Sequence, residues 1–432
     1  MSVSVTESPA VPRVLRVALP MMYASTVSMA SSFVVLALLS NLGDESLYVR
    51  SVYTPFAFLF MAVNSALTVT LQVRVARAAG AGRTAEIPVL TGALLRVGLS
   101  VYAVLCVLVL ALGQALARGL GVEAGAVRPF THFFVEMTLV TALGFVGELA
   151  AAVLRGSGGT LASAVLLSGN LVLSLCGFAL LSPALGLTAL PVAMTAAVAV
   201  ELVAGIVILH RRGLWTRTSV TGWAPVLPSV LRIGIPVGAS SLILFVTNLV
   251  FLRVLQPHGI QAVEGFTFAN TLATALIVPA IGFGAGVAIV MNHHAERPPV
   301  ALAVFRRGLR LAAYGYGVVT LAVVVGGVAL VDLLIANPYA ADYMRITGPS
   351  VGCTGMILVA LTTLEHTGNG IVALGMNTLF FGLMILTGAW VAAYGDSVSG
   401  FYWTLSLFNV AGVVTGLPTA WWLLRRRIGR GI

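Results

Sequence analysis

Lysine is missing from this chain altogether: all 24 basic residues are arginines. Acids are scarce, with 14 aspartates and glutamates in 432 residues, so only 9% of the chain is charged against 59% hydrophobic. No water-soluble domain could hide that much apolar surface behind so few charges. Cysteine is nearly absent too. Cys106, Cys176 and Cys353 stand far apart inside apolar stretches, which excludes a disulfide framework or a CxxC metal pattern and leaves them as small packing residues. No polar connector exceeds about twenty residues, which excludes a globular domain outside the apolar part. Nucleophile motifs, phosphate-cradling loops and nucleotide-binding sequences are lacking, so ATP is not the direct energy source.

What is present is a succession of long apolar runs, with a mean hydropathy of +1.02. A helix needs about 20 apolar residues to cross the hydrocarbon core. Twelve such segments are predicted, at 14–40, 52–78, 88–115, 130–154, 160–181, 187–210, 229–255, 260–291, 302–333, 345–364, 370–393 and 398–424. Barrel strands would be short and alternating, and these runs are long and continuous. The predicted fold class is an all-α integral membrane protein with twelve transmembrane helices.

The chain also repeats itself. Val14-Leu15-Arg16-Val17-Ala18-Leu19-Pro20 returns as Val230-Leu231-Arg232-Ile233-Gly234-Ile235-Pro236, 216 positions later. Ala81, Arg83, Leu95 and Arg96 return 214 positions on as Ala295, Arg297, Leu309 and Arg310. Leu154 and Gly158 return as Leu364 and Gly368 at 210. Six helices per half make each copy start and end on one side, so the two repeats run parallel, as facing lobes with a solute path between them. The predicted organisation is a leader at 1–13, a first six-helix lobe at 14–210, a linker at 211–228, a second lobe at 229–424 and a basic tail at 425–432. No small-residue cleavage site follows the first run, which reads as a retained anchor. Pro20 and Pro236 mark the two half-starts, where a missing N–H costs little.

Arginine placement fixes the expected orientation. With the amino terminus in the cytoplasm, nineteen arginines fall on that side and only Arg50, Arg118, Arg128, Arg253 and Arg345 on the other. This positive-inside bias places both termini in the cytoplasm and accounts for the net charge of +10 without nucleic acid. The expected location is the cytoplasmic membrane of a bacterium, in keeping with the high-GC coding bias that an absence of lysine resembles.

An ionisable group inside the bilayer is costly and faces a cavity or a partner. Glu136, Glu148 and Glu201 lie clearly within predicted spans and are the candidates for ion coupling. Glu136 and Glu148, twelve residues apart on one helix, are separated by ~18 Å and turned ~120° from each other. Glu136 has only Arg128 as a local cation. Glu148 stands seven residues before Arg155, where it serves either coupling or an ion pair, and Glu201 either couples or pairs with an inward arginine. Glu264 is expected to pair with Arg253 across a short turn. Polar residues at membrane depth, Ser32, Asn64, Asn170, Asn248 and Asn270, are the candidates for a substrate cavity, with helix–helix hydrogen bonding as the alternative use. Gln72 and Thr247 belong to the same tier. Pro279, followed by Gly282, Gly284 and Gly286, is the candidate hinge or a static kink. His293-His294 with Glu296 raises a metal-dependent membrane enzyme, but the other four of six histidines are scattered, so neither an enzyme nor a resident metal or cofactor is expected.

Several of these residues carry a family resemblance. Leu19-Pro20 with Leu42-Gly43, Gly80-Ala81-Gly82-Arg83, Leu154-Arg155-Gly156-Ser157-Gly158-Gly159-Thr160 with Asn170, and Ile235-Pro236 with Asn248 follow one another in the order seen in the multidrug and toxic compound extrusion (MATE) family. That family lies within the multidrug/oligosaccharidyl-lipid/polysaccharide flippase superfamily. The resemblance spans the whole chain. It implies a V-shaped pair of six-helix bundles, alternating access, and antiport driven by protons or sodium, acting as a monomer on small molecules. Where many members of the family carry a coupling aspartate, fifteen residues after the first-helix proline, this chain has Val35, and Phe251 in the second half. The tenth span offers Cys353 and Thr363 but no mid-span carboxylate. The expectation is a secondary-active exporter of a small amphipathic organic compound such as a drug or self-made metabolite, with a lipid-linked-precursor flippase as the alternative.

Overall fold

The computed structural model describes residues 10–40, 42–119, 122–215, 222–395 and 397–428. Most of the leader 1–13, positions 216–221 of the linker 211–228, and the end of the tail 425–432 lie outside the described residues. Among the described residues every regular element is helical. We label the helices α1 (Ala10–Ser40), α2 (Asp44–Gly80), α3 (Glu86–Gly119), α4 (Val127–Gly156), α5 (Thr160–Leu185), α6 (Ala189–Arg211), α7 (227–255), α8 (Ile260–His293), α9 (Pro298–Leu334), α10 (338–364), α11 (Gly370–Gly395) and α12 (Val398–Ile428). Ten continuous stretches are long and apolar enough to cross a membrane, and two of them, Thr160–Arg211 and Pro338–Val391, each hold two helices. The twelve expected crossings are therefore present. Their outward faces carry bare aliphatic side chains, with Leu180 79% and Leu333 81% exposed. Apolar surface on this scale belongs against lipid.

Helix limits differ from the hydropathy limits at polar ends. α2 begins at Asp44 and α10 at Pro338, because backbone hydrogen bonding does not require apolar side chains. Asn337 caps α10, its side chain accepting hydrogen bonds from the backbone N–H groups of Tyr339 and Ala340. The same extension moves the two marker prolines. Pro20 and Pro236 lie well inside α1 and α7 rather than in their first turns. In α7 a π-turn at Val230–Gly234 directly precedes Pro236 and absorbs the ring and the missing donor.

The chain packs as two compact units: one is Thr26–Gly238, and the other joins Ala239–Ile432 to the stretch ending at Ser25. The sequence repeat and the packing units thus divide the chain differently at the first helix of each half. Within the first unit, the opening of α7 lies on α2. A Cβ on Gly234 would sit 2.5 Å from the Ala66 carbonyl oxygen and 2.8 Å from Thr70 Oγ1. Within the second, the opening of α1 lies on α8, where a Cβ on Gly286 would sit 2.6 Å from Ala18 Cα. Ala18 and Gly234, like Thr70 and Gly286, are 216 positions apart, so the two contacts are the same contact made once in each unit. Small residues let the backbones meet where apolar burial alone gives no drive.

Pro279 does not interrupt α8, which runs unbroken from Ile260–His293. The glycines after it serve close approach: Gly282 to the Met21 carbonyl, Gly284 to the Val359 carbonyl of α10, and Gly286 to Ala18. Each unit has its own aromatic core. Tyr53, Phe56, Phe130 and Phe134 interlock α2 with α4, and Phe251, Phe266, Tyr343, Phe401 and Tyr402 gather α7, α8, α10 and α12. Both use tilted and edge-to-face geometries that add to area burial.

Candidate functional site

In the first unit, four helices contribute to a polar network inside an otherwise apolar bundle. Arg155, in the last turn of α4, donates from Nε to Gln72 Oε1 of α2 (2.9 Å), from Nη1 to Ser163 Oγ of α5 (3.3 Å), and from Nη2 to Glu148 Oε2 one helical face back (3.3 Å). The pair is partly sheltered, with the Arg155 side chain 12% and the Glu148 side chain 30% exposed. Its geometry follows from the spacing: seven residues make two turns, so both side chains share one face.

Glu201 lies deeper on α6 and is 5% exposed. Asn170 of α5 donates its Nδ2 to Glu201 Oε2, and Ser174 Oγ donates to Asn170 Oδ1, which orients the amide. The second carboxyl oxygen, Oε1, is buried and has no hydrogen-bond partner. α4 passes this carboxyl at Gly147, where a Cβ would sit 3.2 Å from it. Glu148 and Arg155 both act on Glu201 electrostatically. The sequence candidates Glu148, Asn170 and Glu201 therefore belong to one neighbourhood, although they come from three helices. Glu201 pairs with an amide and not with an inward arginine.

Glu136 is elsewhere, and its surroundings differ from the expected ones. His132, one turn earlier on α4, approaches Glu136 Oε1 with Nδ1 at 3.1 Å, so a histidine and not Arg128 is the local partner. Glu136 Oε2 is buried without a partner. Ser32 is exposed on α1 and donates to the Ser28 carbonyl of its own helix at 3.2 Å. Asn64 is half-buried on α2 with its Oδ1 unpartnered.

In the second unit, two cavity candidates meet directly. Asn270 of α8 donates to Asn248 Oδ1 of α7 at 3.1 Å and accepts from the Tyr343 hydroxyl of α10 at 3.2 Å. Asn248 donates to the Leu244 carbonyl of its own helix at 3.0 Å, the counterpart of the Ser32 bond in the other repeat. The Asn248 side chain is exposed on its helix. Arg253 and Glu264 form no ion pair among the described contacts.

Glu365 was not legible as a site residue. It opens the kinked turn at Glu365–Asn369, with Gly368 in the left-handed region, that joins α10 to α11, and it is 9% exposed. The sequence reads Glu365-His366-Thr367-Gly368 as a connecting loop, because its polar residues and glycine carry no span signal. In the structure the turn is drawn into the bundle. Asn292 of α8 donates to the His366 carbonyl at 2.6 Å, and the Thr363 hydroxyl donates to the Gly284 carbonyl at 3.1 Å.

The paired histidines lie where α8 ends. His294, outside the spans, is held below the usual histidine range, first by burial and then by Arg13, His293 and Arg297. Among the described residues no three His, Cys, Asp or Glu side chains converge as metal ligands.

Residues 20–180 match the family model MatE. Over these residues, less than half of its length, the chain is similar to the MATE family. Its fold agrees over its whole length with MATE transporters of known structure. VcmN of Vibrio cholerae in the bent form matches with a TM-score of 0.87 at 18% identity, covering 97% of each chain, and a mutant of VcmN reaches 0.89 at 17%, covering 98% of this chain and 97% of VcmN. A MOP superfamily transporter from Pyrococcus furiosus, for which a reverse polarity of the binding pocket suggests a different function, matches at 0.86 and 17%, covering 96% of this chain and 95% of its own. Among curated proteins none matches the sequence. The solved proteins whose fold it shares are membrane transporters, and the chain has the long apolar helices of a multi-pass membrane protein.

Proposed function

We propose that this protein is a MATE-like transporter, a proton-driven exporter of small amphipathic organic compounds, working as a monomer in a bacterial cytoplasmic membrane with both termini in the cytoplasm. The observation that carries the proposal is the state of Glu201: a carboxyl 5% exposed, held by one neutral amide, with its other oxygen bare. A carboxylate in that setting is uncompensated, whereas a protonated carboxyl has one oxygen to accept the Asn170 bond and one to carry the proton. Moving between these two forms is what a proton carrier does. A sodium ion would want several converging oxygens, and the Asn170 amide turns its NH2 and not its carbonyl toward the carboxyl.

Glu148, tied to Arg155, supports the network as an anchor and as a charge acting on Glu201. Asn64, Asn248 and Asn270 offer neutral hydrogen-bonding groups, which suit an amphipathic compound better than a multiply charged cation. Pro279 acts as the bending point of α8, with the Tyr316 hydroxyl donating to the Ile277 carbonyl at 3.4 Å beside it. The arginine excess on the terminus-bearing side sets the direction.

The test is transport by the purified protein in liposomes, with a pH gradient and separately a sodium gradient imposed, against a panel of amphipathic fluorescent compounds. Movement that follows the pH gradient supports the proposal. Movement that follows only sodium, or movement of a lipid-linked sugar and of no soluble compound, overturns it.

A further inference from the structure

The two turns that lead from the fourth to the fifth helix of each repeat are built alike and charged oppositely. Leu154-Arg155-Gly156-Ser157-Gly158 stands 210 positions before Leu364-Glu365-His366-Thr367-Gly368. Both end on a glycine in the left-handed region, Gly158 at φ 88° and Gly368 at φ 82°. In the first unit the second position is Arg155, fully engaged by Gln72, Ser163 and Glu148. In the second unit that position is Glu365, and the helix kinks there at Gly368 as the first does at Gly158.

Among the described contacts, the groups that meet the Glu365 carboxyl are neutral. Asn377 of α11 donates Nδ2 to Glu365 Oε1 at 3.3 Å and to Ser240 Oγ of α7 at 3.1 Å, and the Ser240 hydroxyl also hydrogen-bonds the carboxyl. Ser240 and Asn377 are themselves 4% and 6% exposed. α8 contributes Asn292, which is engaged with the His366 carbonyl. The titratable neighbour is His366, next in the chain and buried with it. Among the described contacts no arginine pairs with Glu365, in contrast to Glu148.

We propose that Glu365, with Asn377 and Ser240, forms a second proton-binding site in this transporter, one that holds the kinked turn between α10 and α11 while it is occupied. The protonated carboxyl fits an enclosure of neutral donors and acceptors that a full charge would not tolerate. Loss of the proton creates a charge with no counter-ion among the described residues, and the kink at Gly368 is the nearest point where the chain can move to bring the carboxyl to water. The chain then carries one exchangeable carboxyl in each unit, Glu201 and Glu365. This deepens the proton-driven reading and rests on it for the coupling role, though not for the binding of the proton.

The test reads protonation directly. Full-length protein in lipid nanodiscs is followed by infrared spectroscopy across a pH titration, watching the carbonyl stretch of protonated carboxylic acids. Wild type is expected to show such bands at neutral pH, with one component lost in Glu365→Gln and a different one in Glu201→Gln. A spectrum unchanged by Glu365→Gln, or a Glu365 band removed by added sodium at constant pH, overturns the proposal. If Glu365→Gln does not fold, Asn377→Ala is expected to shift the titration of the same band, and an unmoved titration overturns it equally. Liposome transport separates the two claims. A Glu365 band in a protein whose transport ignores the pH gradient sinks the proton-driven reading and leaves the binding site standing.

Discussion

Asn170 on α5 donates to Glu201 on α6 across 31 residues of sequence, and that bond leaves the second oxygen of the carboxyl buried and bare. A buried carboxyl and a positioned amide are thereby brought together in the interior of the first unit. Replacing Asn170 with leucine removes the donor and keeps the apolar volume. We expect a folded protein whose pH-driven transport has its pH optimum moved by about one unit or more, since one unit corresponds to ~1.4 kcal/mol, the scale of a single hydrogen bond. An unmoved pH profile would detach Asn170 from coupling.

Arg155 and Glu148 form a partly buried pair, so removing one member should cost more than removing both. Arg155→Met alone leaves the carboxylate facing apolar surroundings and is expected to destabilise by about 2–3 kcal/mol, read as a lower melting temperature in detergent. The double change with Glu148→Gln should recover a large part of that loss. Additive losses would show that the two side chains do not act as a pair.

Gly234 and Gly286 hold equivalent close contacts of the helix openings, one in each unit. Valine at either position places carbon within 3 Å of a neighbouring backbone. Each substitution should cost about 1–3 kcal/mol by overpacking, or reduce the yield of folded protein. Valine at Gly315, where no atom lies within 4 Å of an added Cβ, is the control and should be nearly silent.

Orientation can be read by labelling. In a variant lacking Cys106, Cys176 and Cys353, a cysteine at Trp215 should react with a membrane-impermeant reagent only from the cytoplasmic face. Labelling of intact cells from outside would reverse the topology derived from the arginines.

The helices were legible because each crossing needs a long apolar run, and such runs cannot be mistaken for anything shorter. The repeat was legible as well, through Val14 to Pro20 and Val230 to Pro236. What hydropathy does not carry is the polar end of a helix. The start of α10 at Pro338, capped by Asn337, and the interior positions of Pro20 and Pro236 emerge only from backbone hydrogen bonding. The candidate acids were visible as types and not as partnerships. Glu148 and Arg155 share one helix, so their spacing gave the pair, whereas Asn170 and Glu201 meet only once α5 and α6 are packed. The histidine beside Glu136 sits at helical spacing, four residues back, but a histidine is a cation only when protonated, so residue type alone does not mark it as the partner. Glu365 was hidden by its neighbours: Thr367 and Gly368 read as a turn, which the kink at Gly368 is, and sequence does not tell that this turn is buried in the bundle.

The central claim is that Glu201 carries the proton that drives transport. The most direct measurement is proton counter-movement in liposomes, with a pH-sensitive dye inside and an amphipathic fluorescent compound supplied under an imposed pH gradient. Wild-type protein should move compound and protons in opposite directions, and Glu201→Gln, folded and inserted at the same level, should move neither against a gradient. Counter-movement at the wild-type rate in Glu201→Gln would contradict the account.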